Sequence, residues 1–284
     1  MRSFVLIFLA AVALTSCNWI NPSEETPAFI RIESIGFNAS STQGTESQNF
    51  VDAWVYIDGT SIGAYELPLT LPVLAEGEHT IIVMPGIMLN GISNTRATYP
   101  FVKSWTATIN LVKDSVVEIH PVSSYYDELV FETIEDFESG GLTIGETTYS
   151  DTIMQRTDDP SIVFEGGYSG MLVVDTQHDT IVVKSNSAFV LPTAGEYNFL
   201  EINFRTEAPL VVGAISNTGT QSVFHEIVVL NETDTWKKVY VNLTTVTSRE
   251  YDASSFYYFM WMHLPEGKTE ARAYIDNVKL IHAE

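Results

Sequence analysis

Cysteine occurs once in the 284 residues, at Cys17, so no disulfide can form within the chain and its stability must come from packing. Basic residues are scarce as well: 14 Lys and Arg stand against 36 Asp and Glu, a formal net charge of −22 at pH 7. A surface of that sign repels phosphate backbones, and no nucleic-acid partner is expected. The longest apolar run, residues 4–14, is about half of the roughly 20 residues that a membrane-spanning helix requires. Catalytic signatures are missing too. There is no nucleophile elbow, HExxH pair, phosphate loop or Cys/His arrangement, and the six histidines are scattered. The expectation is a protein that is not an enzyme. A glycosidase-type carboxylate pair stays open, because some pair always exists among 36 acids and its separation is a three-dimensional quantity.

What is present begins with an address. Arg2, the apolar run and a short polar stretch leading to Cys17 have the layout of a secretory signal. Leu14-Thr15-Ser16-Cys17 resembles the lipobox of bacterial lipoproteins. That resemblance implies removal of residues 1–16 and acylation of Cys17 (diacylglyceryl, palmitate), hence lipid-anchored attachment to the bacterial outer membrane. Two or more acyl chains hold stably where one holds marginally. The alternative is an ordinary signal peptide with an incidental cysteine. Residues 17–27, with two prolines and Glu24-Glu25, read as a flexible tether. They also resemble the acidic signal of surface-exported Bacteroidota lipoproteins, and cell surface and periplasmic face both remain open.

Beyond the tether the chain reads as all-β. Alternating runs rich in Val, Ile, Tyr, Phe and Thr recur between Gly, Pro, Asn and Asp clusters, among them residues 29–35, 53–57, 80–84, 105–112, 170–174, 200–205, 210–215, 237–243, 257–263 and 271–281. Length suggests two domains, 28–121 and 122–284. In the first, Asp58-Gly59 between alternating residues predicts a two-residue hairpin turn with positive φ angles. Residues 53–86 resemble a PEGA-type module, which implies a small immunoglobulin-like sandwich serving as a spacer. The sequence departs from that pattern in lacking a literal Pro-Glu-Gly-Ala and in a long insert at 87–101.

In the second domain four landmarks occur in order: Glu135-Asp136-Phe137-Glu138, Gly167-Tyr168-Ser169-Gly170, Trp236-Lys237-Lys238-Val239 and Tyr274-Ile275-Asp276-Asn277. Together they resemble galactose-binding-like jelly rolls, carbohydrate-binding modules among them. The resemblance implies a jelly-roll β-sandwich. It also implies a structural Ca2+ between Glu138, with Asp136 nearby, and Asp276, completed by carbonyls around 168–170. The alternative is that these carboxylates cap turns or face water.

A sugar-binding face needs aromatic planes beside fixed polar groups. Residues 256–263 are apolar on both strand faces, so period two assigns Phe256, Tyr258, Met260 and Met262 to the core and Tyr257, Phe259, Trp261 and His263 to the outside. Leu200, Ile202 and Phe204 likewise suit the core, leaving Glu201, Asn203 and Arg205 as outward polar groups. Spacing does not decide whether both outward sets share a sheet, or whether the aromatics pack under a loop or on the first domain. Asp114-Ser115-Val116, Asp151-Thr152-Ile153 and Asp179-Thr180-Ile181 match the short O-glycosylation pattern of Bacteroidota, making Ser115, Thr152 and Thr180 candidate modification sites.

Two functional readings follow: an envelope-anchored lipoprotein binding glycan through its second domain, or a structural lipoprotein whose partners are envelope proteins. An exposed groove holding Trp261 and Tyr257 beside Arg205 favours the first, and a flat or covered face the second.

Overall fold

The computed structural model describes residues 24–284, so the signal segment and Cys17 lie outside the described residues. The first half holds ten strands: β1 (Ala28–Ile32), β2 (Gly36–Asn38), β3 (Asp52–Ile57), β4 (Thr60–Glu66), β5 (Leu69–Val73), β6 (Gly77–Met88), β7 (Arg96–Thr98), β8 (Trp105–Leu111), β9 (Val116–Ile119) and β10 (Val122–Ser124). The second holds β11 (Leu129–Glu135), β12 (Ile144–Glu146), β13 (Gln155–Thr157), β14 (Ser169–Asp175), β15 (Thr180–Ser185), β16 (Asn198–Thr206), β17 (Leu210–Asn217), β18 (Ser222–Leu230) and β19 (Thr233–Asn242). A short helix α1 (Thr244–Arg249) then precedes β20 (Ser255–His263) and β21 (Glu270–Ala283).

The Asp58-Gly59 hairpin forms between β3 and β4, with φ of 49° and 79° at its two central residues. Asp58 also accepts from the Thr80 amide (2.9 Å) and sits 2.6 Å from His79 Nδ1, so the turn is tied to the neighbouring strand β6. In the first half β4-β3-β6-β7 make one sheet, with β8 also on β6, and β5-β1-β9 make another. β10 pairs with β2 in parallel, so the strand pairing of the first half runs as far as Ser124.

The second half is a two-layer β-sandwich. One sheet runs β13-β14-β21-β16-β19, with β11 on β21, and the other β12-β15-β20-β17-β18. Alternation along the strands fills the space between them: Leu200, Ile202 and Phe204 from β16 meet Phe256, Tyr258, Met260 and Met262 from β20, all buried as period two requires.

The outer face of the six-stranded sheet is not free. Phe199, Tyr240 and Ile281 point away from the sandwich core and join the core of the first half, against Tyr99, Phe101 and Phe50. The 87–101 insert supplies much of this junction. Tyr99 and Phe101 stack edge-on to Phe199, and Asn90 bonds the Tyr240 carbonyl and the Asn242 amide. At its centre lies Glu201, buried, with Lys238 Nζ 2.6 Å from Oε2 and the hydroxyls of Tyr99 (2.6 Å) and Tyr125 (2.9 Å) donating to Oε1. Burial alone would raise this carboxyl's pKa, but Lys238 and Lys279 outweigh it and hold the group below its ordinary range.

Candidate functional site

The free face of the sandwich is the outside of the five-stranded sheet. Its register sets cross-strand rows in which directly opposed residues share a face. On β20 the outward positions are Tyr257, Phe259, Trp261 and His263, opposed on β15 by Lys184 (to Phe259), Val182 (to Trp261) and Thr180 (to His263). On β17, Ile215, Gly213 and Val211 oppose Tyr257, Phe259 and Trp261, and on β18 Phe224, Glu226 and Val229 continue the same three rows.

Gly213 shapes the floor. A Cβ there would lie 2.1 Å from the His225 carbonyl oxygen and 2.7 Å from the Phe259 ring, so only glycine lets that ring cross β17. Phe259 is thereby sealed, with 1% of its surface exposed. Phe224 stands on it edge-to-face (5.0 Å between centroids) and Tyr149, from the loop after β12, stands on Phe224 (5.8 Å). Tyr149 is 68% exposed and Phe224 39%. The Trp261 indole donates to Glu226 Oε1 at 3.1 Å, which fixes its plane. Together with Val182 these residues enclose a shallow hollow of about 290 Å³. Around it, Lys184 Nζ lies 3.8 Å above the Tyr257 ring, and burial lowers the pKa of that amine. The Thr180 hydroxyl donates to Asp179 (2.7 Å) and lies 2.9 Å from His263 Nδ1.

The four β20 residues expected outside thus share one face, but Phe259 is its floor and offers no open plane. Asn203 and Arg205 are not part of it. Their strand, β16, belongs to the opposite sheet, where buried Asn203 accepts from Ser47 (3.0 Å) and Arg205 lies over Tyr274 (5.8 Å). The groove of Trp261 and Tyr257 beside Arg205 does not form, and the polar flank is Glu226, Thr180 and Lys184 instead. Phe224 and Glu226 carried a readable signal, being alternate positions of a strand, whereas Tyr149 sits in a loop with no periodic cue. Of the candidate modification residues, Ser115, Thr152 and Thr180 are all half-buried, and the Thr180 hydroxyl is engaged within this face.

The residues with a metal expectation lie on and beside β21, a central strand of the other sheet. Glu138 Oε1 accepts the amides of Gly167 (2.8 Å) and Tyr168 (2.9 Å), and Asp136 accepts the Glu138 amide (3.1 Å). Buried Asp276 accepts from the Ser169 hydroxyl (2.6 Å) and the Asn277 amide (2.8 Å). Burial, with the charges of Glu165 and Glu138 added, pushes the Asp276 carboxyl up to about 7. No group of three or more His, Cys, Asp or Glu side chains converges to hold a metal among the described residues. In this arrangement Glu138 and Asp136 accept amides of the adjoining turns.

Ser216 Oγ lies 2.9 Å from His225 Nε2, while His225 Nδ1 faces Arg249 Nη2 at 2.7 Å. A guanidinium only donates, so Nδ1 accepts and the ring proton sits on Nε2, where it donates to Ser216. That tautomer cannot take a proton from the serine.

No protein-family model matches the sequence, and no curated protein sequence matches it. Solved structures of similar shape exist. TmCBM61, in complex with β-1,4-galactotriose, is 14% identical over 52% of this chain and 94% of its own, with a TM-score of 0.35. The xylan-binding domain from CBM 22 is 13% identical over 54% and 95%, at 0.39. A structure of carbohydrate-binding modules from the β-sandwich superfamily, described for promiscuous specificity, is 15% identical over 91% and 99%, at 0.41.

Proposed function

We propose that this protein binds a neutral glycan on the outer face of its five-stranded sheet and performs no chemistry on it. The observation that carries the reading is the set of aromatic planes Tyr149, Phe224 and Trp261 standing over a sealed apolar floor, with the indole fixed by Glu226. Sugar rings present apolar faces to such planes and hydroxyls to polar groups at the rim, here Glu226, Thr180 and His263. An anionic glycan is disfavoured because the rim carries Glu226 and Asp179 and its ammonium, on Lys184, is occupied over Tyr257.

The test is a glycan array followed by titration of intrinsic fluorescence. Trp261→Ala is expected to weaken binding by roughly a hundredfold and Tyr149→Ala by roughly tenfold, the range of central aromatic anchors. Both variants should keep the wild-type Tm to within a few degrees. Indifference of the full chain to every neutral glycan transfers the face to the other reading, a docking surface for an envelope protein.

The same proposal places the protein on the outer membrane through acylated Cys17, supported by the lipobox-like sequence and the single cysteine. Labelled palmitate should enter the wild-type chain, while Cys17→Ala should be unlabelled and shift to the soluble fraction. Labelling of that variant would end the lipid reading. Calcium is a separate proposal. It rests on Asn277 Oδ1, a buried oxygen with no donor beside Asp276, and on Glu165 and Glu138 nearby, whose carboxylates would have to turn toward the ion.

A further inference from the structure

We infer that the glycan path does not end at the sheet edge but continues into the cleft between the two halves, so that the first domain contributes part of the binding surface. The inference rests on the glycan reading above. Val182, Trp261, Val211 and Val229 form one row in register across β15, β20, β17 and β18, and three strand spacings make that row about 14 Å long. β18 is the last strand of its sheet, and Val229 at the end of the row is 52% exposed. Next to it lies a cleft of about 730 Å³, lined also by Asn231, by Asn203 and residues 236–239 of the opposite sheet, and by Ser47, Gln48 and Asn49 of the first half. Its opposite wall is the first domain's 88–93 segment, which presents Asn90, Ile92 and Ser93, with Ile92 46% exposed.

The chemistry of the cleft resembles that of the platform. Apolar Val229 and Ile92 alternate with the amides of Asn231 and Asn90 and the Ser93 hydroxyl, a lining suited to a neutral polyhydroxyl chain. Of the charged groups that line it, Glu232 is paired with Lys268 at 3.2 Å and Lys238 with Glu201 at 2.6 Å, which leaves the exposed Lys237 as the one ammonium there with no carboxylate partner among the described residues. The wall is also preformed. Asn90 donates its amide to the Tyr240 carbonyl (3.0 Å) and its Oδ1 accepts from the Asn242 amide (2.7 Å), so the segment is fixed to β19 before any ligand arrives. A fixed wall adds contact without an ordering cost, which lets a second subsite raise affinity for ligands long enough to reach it.

Calorimetry of the full chain with β-1,4-linked gluco-, xylo- and galacto-oligosaccharides, from disaccharide to hexasaccharide, separates the possibilities. Wild-type affinity should rise roughly tenfold or more from the shortest to the longest member of a binding series. Ile92→Asp and Asn231→Ala, one on each wall, should each flatten that rise and leave disaccharide affinity within about twofold. Trp261→Ala should weaken all lengths alike. A length dependence unchanged in both wall variants overturns the inference while the platform reading stands. Failure of every oligosaccharide to bind the wild-type chain overturns both.

Discussion

Glu201→Ala is expected to lower the unfolding free energy by about 3–5 kcal/mol, the cost of stranding buried charges when one partner of an ion pair is removed. The side chains of Glu201 and Lys238 are each 1% exposed, and Lys279 is fully buried nearby, its ammonium donating to the Thr45 carbonyl. Without the carboxylate, two ammonium groups share an interior that water cannot reach, and the hydroxyls of Tyr99 and Tyr125 lose their acceptor. Burial already lowers the Lys279 pKa to about 8 with Glu201 in place, so removing Glu201 pushes it lower still. Tyr99→Phe, which deletes one hydrogen bond and no charge, should cost only about 1–2 kcal/mol. Urea denaturation followed by tryptophan fluorescence, with calorimetry beside it, gives both numbers. A loss below about 1 kcal/mol for the alanine variant would show that the charges at the junction are solvated. Because the network joins β16, β19 and β21 to the first half, wild type and Tyr99→Phe should melt in a single transition.

That network shows where the sequence could be read and where it could not. Period two correctly placed Glu201, Asn203 and Arg205 on the face away from the sandwich core, because alternation is a property of a single strand. What covers that face is a property of the whole chain. Tyr99 is 102 residues from Glu201 and Tyr125 is 76 residues away, and nothing local to β16 announces them. Glu201 and Asn203, expected to meet a sugar, therefore meet the first domain, while Arg205 lies over Tyr274. The 87–101 insert was visible as a departure in length, but its role as the docking element emerges only from contacts such as Tyr99 with Phe199.

On the opposite sheet the same alternation did better. Tyr257, Trp261 and His263 share an open face because β20 is central and its outward positions are opposed by Val182, Thr180 and Val211. Phe259 obeyed the alternation and still became floor, since Phe224 and Tyr149 cover it from β18 and from a loop. The Asp58-Gly59 turn was the clearest local feature, as positive φ at two successive residues is a demand few other pairs satisfy.

Asp276→Asn is expected to stabilise the protein above neutral pH by up to about 4 kcal/mol and to change little near pH 4. The wild-type carboxyl titrates at about 7 when folded and near its ordinary value of 3.8 when unfolded. Below about pH 4 both states hold the proton and its contribution to stability is complete. Between about 4 and 7 the unfolded chain releases the proton while the folded chain keeps it, so stability falls by about 1.4 kcal/mol per pH unit, and the contribution is gone once pH passes 7. An asparagine carries no charge to bury. Its oxygen can still accept from the Asn277 amide, and its amide can donate to the Ser169 hydroxyl, which keeps both contacts with the direction of the second reversed. Chemical denaturation of both forms from acid to mildly alkaline pH, in excess EDTA, should show a difference that opens as pH rises. A difference that stays flat would mean that the carboxyl titrates alike in the folded and unfolded chain. Repeating the series with calcium tests the metal proposal on the same residue. A divalent cation favours the ionised carboxylate, so calcium binding should raise the stability of the wild type above pH 7 and leave Asp276→Asn unmoved, closing or reversing the gap between them. If both forms ignore calcium, the loop around Asp276 is held by hydrogen bonds and a retained proton alone, and the carboxylates at Glu138 and Glu165 act on it only by raising its pKa.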